Sequence, residues 1–157
     1  MFMRSSLLPL IAAATMFSAL AQNGPSPRVS TFPPIGLGST ETAEISVVNL
    51  ASDTPNTKAS CSGTISFLNS SGTVIGAATP FTATAGQIVF VRLPFANSGG
   101  PSPRAEIRGV VQVNAATTSP RPPCSAEFSM ETFDTTTGAT HTLQTMSVQQ
   151  PVFGFRN

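Results

Sequence analysis

The sequence predicts an all-β protein: an antiparallel two-sheet sandwich, immunoglobulin-like in plan, with about seven strands and one disulfide. Three observations carry this. Apolar and polar residues alternate with a period of two in short runs, turn residues separate the runs, and each of the two cysteines stands at the head of one. No stretch beyond residue 21 keeps the 3.6-residue period of a helix.

The first run extends from Thr42 to Leu50, where Ala43, Ile45 and Val47 alternate with Glu44 and Ser46. Asp53, Pro55 and Asn56 then supply turn chemistry. Cys61 opens the second strand, with Gly63, Ile65 and Phe67 on one parity. The turn Asn69 to Gly72 returns it as a weaker strand, Thr73 to Thr79, in a hairpin. From Gln87 to Leu93 the residues Ile88, Val89, Phe90 and Val91 run continuously apolar, which predicts a strand covered on both faces. After a Gly- and Pro-rich loop, Ala105, Ile107, Gly109, Val111 and Val113 share a parity opposite Arg104, Glu106 and Arg108. The loop Ser119 to Pro123 leads to Cys124, after which Ala126, Phe128 and Met130 face one way and Glu127, Ser129 and Glu131 the other. The turn Asp134 to Gly138 precedes a threonine-rich last strand, Ala139 to Val148. Phe67, Phe90 and Phe128 fall on apolar parities and are expected in the core.

The cysteines head the second and sixth of these strands. In an immunoglobulin order those are strands B and F, so a Cys61–Cys124 bridge would tie the two sheets together near one end; the tryptophan of that fold is absent. Closing a loop of about 60 residues is worth roughly 4 kcal/mol in the chain-entropy model.

Residues 1–21 read as a cleavable signal peptide. Arg4 precedes an apolar stretch from Leu7 to Leu20, and Ala19, Leu20 and Ala21 form an A-x-A pattern before Gln22. A run of about 14 apolar residues interrupted by Pro9 is short for a bilayer, which needs roughly 20. Residues 22–38, with Pro25, Pro27, Pro33 and Pro34, read as a linker or an edge segment, and residues 39–157 as the sandwich domain. Export makes the location secreted or periplasmic, permits the disulfide, and leaves no integral membrane segment after cleavage. The chain's eight basic and seven acidic residues balance once Arg4 is removed. A neutral chain with scattered charges has no footprint for nucleic acid.

No catalytic, cofactor-binding or metal-binding residue is assigned. His141 is the only histidine. A triad with Asp134 and some serine is conceivable, but no G-x-S-x-G elbow occurs, and an imidazole in a threonine-rich strand is expected to be solvated without a dedicated partner. Glu127 and Glu131 share a face, yet four strand positions separate them by roughly 13 Å, too far for glycoside hydrolysis. Arg104, Glu106 and Arg108 lie on the polar parity of the preceding strand, and if the two strands pair, cross-strand ion pairs on a solvated sheet face are expected. Zinc would need about four ligands, and Asp53 and Asp134 stand alone in their loops, unlike a calcium site. With no tyrosine or tryptophan, a sugar-binding face is disfavoured.

The segments FPPIGLGSTETAEISVVNL (Phe32 to Leu50), RAEIRGVVQV (Arg104 to Val113) and CSAEFSMETFDTTTG (Cys124 to Gly138) resemble uncharacterised secreted bacterial β-sandwich proteins. The resemblance spans most of the mature chain and implies the sandwich, with no activity or functional residue to carry over. Pilus subunits assembled by strand donation are similar in being disulfide-tied sandwiches, though this chain lacks their penultimate tyrosine and close cysteine pair. These readings lead to a non-enzymatic secreted interaction or structural module, of surface-assembly or adhesion type, with protein partners in the cell envelope or outside the cell. A secreted hydrolase and a small-ligand carrier with a cavity between the sheets are the alternatives. The C-terminal residues Val152, Phe153 and Phe155 leave two options open: a short edge strand folded back, or strand addition to a partner.

Overall fold

The computed structural model describes residues 26–101, 103–115 and 122–149. The expected signal peptide and the segment Pro151 to Phe155 lie outside the described residues. Among the described residues nine strands form two antiparallel sheets: β1 (Arg28–Thr31), β2 (Ile35–Gly38), β3 (Glu41–Asn49), β4 (Ser60–Asn69), β5 (Val74–Thr84), β6 (Ile88–Pro94), β7 (Arg104–Val113), β8 (Ser125–Asp134) and β9 (Thr140–Gln149). Sheet A has the order β1-β7-β4-β5, with β2 also paired to β7; sheet B has the order β6-β3-β8-β9. No helix among the described residues is long and apolar enough to cross a membrane.

The seven strands expected from alternation are β3 to β9. The other two arise in the proline-rich segment, where the edge reading holds. Pro33 and Pro34 split one edge into β1, paired to the C-terminal half of β7, and β2, paired to its N-terminal half. The segment contributes to the core as well as to the edge, because Phe32, Ile35 and Leu37 are buried. Phe32 donates its N–H to the Gly109 carbonyl at 2.9 Å and fills the space above that glycine.

Alternation translates directly into layers. In β3, β4, β7 and β8 every second residue is buried, and Ile45, Val47, Ile65, Val111, Phe128 and Met130 from the two inner faces meet in one core. Phe67 and Phe128 lie there as expected. Phe90 does not, and the expectation that β6 is covered on both faces is corrected: among the described residues β6 pairs only with β3 and no element is layered over its outer side, and Ile88 is 63% and Phe90 53% exposed. The continuous apolar run here marks an edge strand with an apolar outer face.

Cys61 in β4 and Cys124 just before β8 form the disulfide, with Cα atoms 5.1 Å apart, and the bridge joins sheet A to sheet B. The strand order around it differs from the immunoglobulin plan. The Cys61 strand makes a hairpin with the next strand, β5, whereas an immunoglobulin B strand is followed by one in the opposite sheet. The β7 and β8 strands lie in different sheets, so the expected cross-strand ion pairs between them do not form, and Arg104 instead pairs with Glu106 on its own strand at 3.1 Å.

A second tie between the layers is Asn49 at the end of β3. It is fully buried; its Nδ2 donates to the Ala83 carbonyl of β5 at 3.1 Å, and its Oδ1 accepts the N–H groups of Ala51 and Ser125. The amide thus satisfies backbone groups from both sheets in a place water does not reach. Asn49→Leu is expected to lower stability by about 2–4 kcal/mol, since three hydrogen bonds vanish, the one to the Ala83 carbonyl buried and those from Ala51 and Ser125 half-buried. Urea unfolding monitored by far-UV circular dichroism reads the loss.

Candidate functional site

The surface that carries unusual chemistry is the outer face of sheet B. Directly paired residues on its polar parities form rows across the sheet: Ile88, Val48, Glu127 and Ser147; then Phe90, Ser46, Ser129 and Thr145; then Arg92, Glu44, Glu131 and Leu143. Serines, threonines and glutamates on such a face are ordinary solvated sheet chemistry. The apolar residues are not. Ile88 sits directly opposite Val48, Phe90 lies two residues along β6 on the same side, and Leu50, 59% exposed, continues the Val48 parity past the end of β3. Together they make a contiguous apolar corner at the free β6 edge.

Arg92 organises the next row. Its Nε donates to Glu44 Oε2 at 2.6 Å, and its guanidinium carbon lies 4.8 Å from the Phe90 ring centroid and 5.6 Å from that of Phe133. Glu44 and Glu131 face each other in register, a closer carboxylate pair than Glu127 and Glu131. Arg92 and Ser46 occupy the two oxygens of Glu44, while Glu131 accepts from Thr140. These glutamates stand on an open sheet face and bond to neighbouring side chains, an arrangement that stabilises strand pairing.

His141 has a partner, contrary to the expectation of a merely solvated imidazole. Its Nδ1 meets Glu41 Oε1, while Glu41 Oε2 accepts the Gly38 N–H at 2.6 Å. The contact spans the first residues of β3 and β9, which the β8–β9 turn brings together by donating the Thr135 N–H and hydroxyl to the Thr40 carbonyl. Sequence separation hid this pair, since 100 positions lie between the two residues. A carboxylate on Nδ1 is the orienting half of a hydrolytic triad, but no hydroxyl among the described residues is hydrogen-bonded to the imidazole. Asp134 does not join it: its Oδ1 accepts the N–H groups of Thr136 and Thr137 and caps its own turn. Asp53 likewise holds its own loop through Ala59 and Lys58.

Partial burial pushes the Glu41 carboxyl up, but the Gly38 N–H, the His141 imidazole and Arg104 together outweigh it and hold the group below its ordinary value of 4.5. The sign follows. A carboxyl depressed in the folded state stabilises above its unfolded value, and that contribution is lost as pH falls through the folded value. The thermal midpoint of Glu41→Gln is therefore expected to lie below that of the wild type at pH 6, with the gap closing as pH drops below 4.5. His141→Ala should cost less than about 1 kcal/mol, because its side chain is half exposed.

A shallow groove of about 170 Å³ lies against the β4–β5 hairpin turn, lined by Pro34, Asn69, Gly72, Glu106 and Arg108. It opens at the end of sheet A and not between the sheets. No three histidine, cysteine, aspartate or glutamate side chains among the described residues cluster as a metal site. Comparison with family models, with curated proteins and with solved structures returns no match.

Proposed function

We propose that the protein is a non-enzymatic, exported interaction or structural module that works through the outer face of sheet B. The observation that carries this reading is the apolar corner of Val48, Leu50, Ile88 and Phe90 on an open face beside an edge strand. Exposed apolar residues gathered in one place are the usual mark of a surface that meets another protein, and β6 leaves its outer row of backbone groups open to strand pairing. The other edges are less suited to that use. β5 carries Pro80 and a register shift in its pairing with β4, β9 carries a shift at Thr132/Phe133, and β1 and β2 are separated by two prolines.

Export is part of the proposal, supported by the bridge between Cys61 and Cys124 and by the A-x-A pattern at Ala19 to Ala21. Intact-mass measurement on protein from the envelope fraction is expected to give a chain starting at Gln22. A full-length cytoplasmic product would contradict it.

The interaction is tested by immobilising the mature protein and the double variant Ile88→Glu, Phe90→Glu, and capturing from envelope extract. A protein retained by the wild type is then purified and its affinity measured for both. The variant should bind at least about tenfold more weakly, as expected from removing two apolar anchors. Equal affinity would move the interface elsewhere, and a turnover abolished by His141→Ala would replace the module with an enzyme.

A further inference from the structure

We infer that the free edge of β6 is where two copies of this chain meet, pairing antiparallel about a two-fold axis at Phe90. The inference rests on the reading of β6 as an interacting edge and names its partner. The ladder decides which backbone groups are free. The Asn49 N–H donates to the Gln87 carbonyl at 3.2 Å, and β3 pairs with β6 in unbroken register from Thr42↔Pro94 to Val48↔Ile88. Residues bonded to one neighbour alternate along an antiparallel strand, so Gln87, Val89, Val91 and Leu93 turn their backbone groups to β3. Ile88, Phe90 and Arg92 turn theirs outward, where no strand among the described residues takes them.

These residues are complementary to themselves in one register. Centred on Phe90, it sets Phe90 against its own copy and Ile88 against Arg92 of the second molecule, so that each outward N–H meets an outward carbonyl. Centred on Val89, it would leave Arg92 facing Gly86, whose φ of 70° lies outside a strand; centred on Val91, it would set Ile88 against Pro94, which has no N–H. The inner parity agrees with the Phe90 register, because Val89 then falls opposite Val91 of the second copy. Both valines are only partly buried against the core of their own molecule.

Sheet A leaves room for the second molecule. Asn49 Nδ2 reaches the Ala83 carbonyl of β5, so at this end β3 lies over the outermost strand of sheet A, and β6, one strand further out, overhangs it. Charge suits a second copy as well. Arg92 is the one charged residue of β6 and is paired with Glu44 of its own molecule; the register puts it beside Ile88 and not beside the other Arg92, so like charges do not oppose one another. On the outer face the two Phe90 side chains become direct cross-strand neighbours, each shielding the other from water. A junction one strand long falls below the roughly 1,200–2,000 Å² of a standard interface, so association in the micromolar range or weaker is expected.

The test takes the oxidised mature chain and measures its molar mass by sedimentation equilibrium from low micromolar concentration to about 1 mM. A reversible monomer–dimer equilibrium is expected. Phe90→Pro removes the ring and an outward N–H, and Phe90→Lys sets two ammonium groups face to face; neither touches a hydrogen bond to β3. Both variants should keep the fold, as read by circular dichroism, and weaken the dimer at least about tenfold. The register is read by placing p-benzoylphenylalanine at position 90 in an equal mixture of isotopically light and heavy chains, where crosslinks joining the β6 strand of a light chain to that of a heavy one are expected. A monomer at every concentration, a dimer that both variants leave intact, or light–heavy crosslinks confined to other strands would overturn the inference. The two readings fail separately. A monomer that retains another protein through Ile88 and Phe90 removes the second copy and keeps the interaction face, whereas a β6 dimer with equal capture by the Ile88→Glu, Phe90→Glu variant keeps the second copy and removes the face as a site for other proteins.

Discussion

Replacing both cysteines, Cys61→Ala with Cys124→Ala, is expected to lower stability by about 4 kcal/mol and the thermal midpoint by roughly 10–20 °C. The bridge closes a loop of 63 positions in the chain, so its removal restores a large conformational freedom to the unfolded state. It also removes a covalent tie between layers. Cys61 belongs to sheet A, Cys124 leads into sheet B, and both are buried at the end where the Ser60 N–H donates to the Pro123 carbonyl at 3.0 Å. At that end the two layers would then be held only by side-chain packing, the Asn49 amide and the Ser60–Pro123 hydrogen bond, and would part more readily. Differential scanning calorimetry on the oxidised wild type, the reduced wild type and the double variant measures the effect. The reduced wild type should fall close to the variant, because a buried thiol packs much as a small apolar group does. Three coincident midpoints would show that the bridge adds nothing to stability.

Gly63→Ala is expected to cost about 3 kcal/mol or more, although it adds a single methyl group. Gly63 lies in β4 between Val113 of β7 and Phe81 of β5. A Cβ at this position would stand 1.9 Å from the Gln112 carbonyl oxygen and 2.9 Å from Phe81 Cε1. The nearest obstacle is backbone in the centre of sheet A, so relief requires moving β4 relative to β7, which overpacking costs of about 1–3 kcal/mol do not include. Gly109 is the comparison. A Cβ there would meet Ile45 Cδ1 at 2.5 Å, Met130 Sδ at 2.9 Å and Phe32 Cδ2 at 3.0 Å, all ends of side chains that can adjust. Gly109→Ala should therefore fall within about 1–3 kcal/mol. Urea unfolding of the two variants tests the ranking, with the slope m held as a control on two-state behaviour. A smaller loss for Gly63→Ala than for Gly109→Ala would refute it.

Neither glycine could be ranked from its neighbours in sequence. Both sit on the apolar parity of a well-patterned strand, Gly63 with Ile65 and Phe67, Gly109 with Ile107 and Val111. What distinguishes them is what a partner strand or the opposite sheet puts against them, and alternation along one strand carries no such information. The same gap explains β6. Ile88 to Val91 has the composition of a buried central strand, and only its place at the edge of sheet B leaves Ile88 and Phe90 in solvent. For the candidate site, the residues that compose it were visible as apolar, but not as a surface.

By itself the sequence determined the fold class, the seven strands from β3 to β9 and the pairing of Cys61 with Cys124. These depend on local period, turn chemistry and the presence of two cysteines, all of which are written within a few residues or by simple count. Tertiary structure alone decided which strands are neighbours. That choice separated β7 from β8 and with them the charges expected to pair, selected the edge over the linker for the proline-rich segment, and brought Glu41 to His141 across 100 positions of the chain. Strand order is set by the summed burial of whole faces and by crossing connections between layers, so it depends on residues far apart in the chain and leaves no trace in the pattern of any one strand.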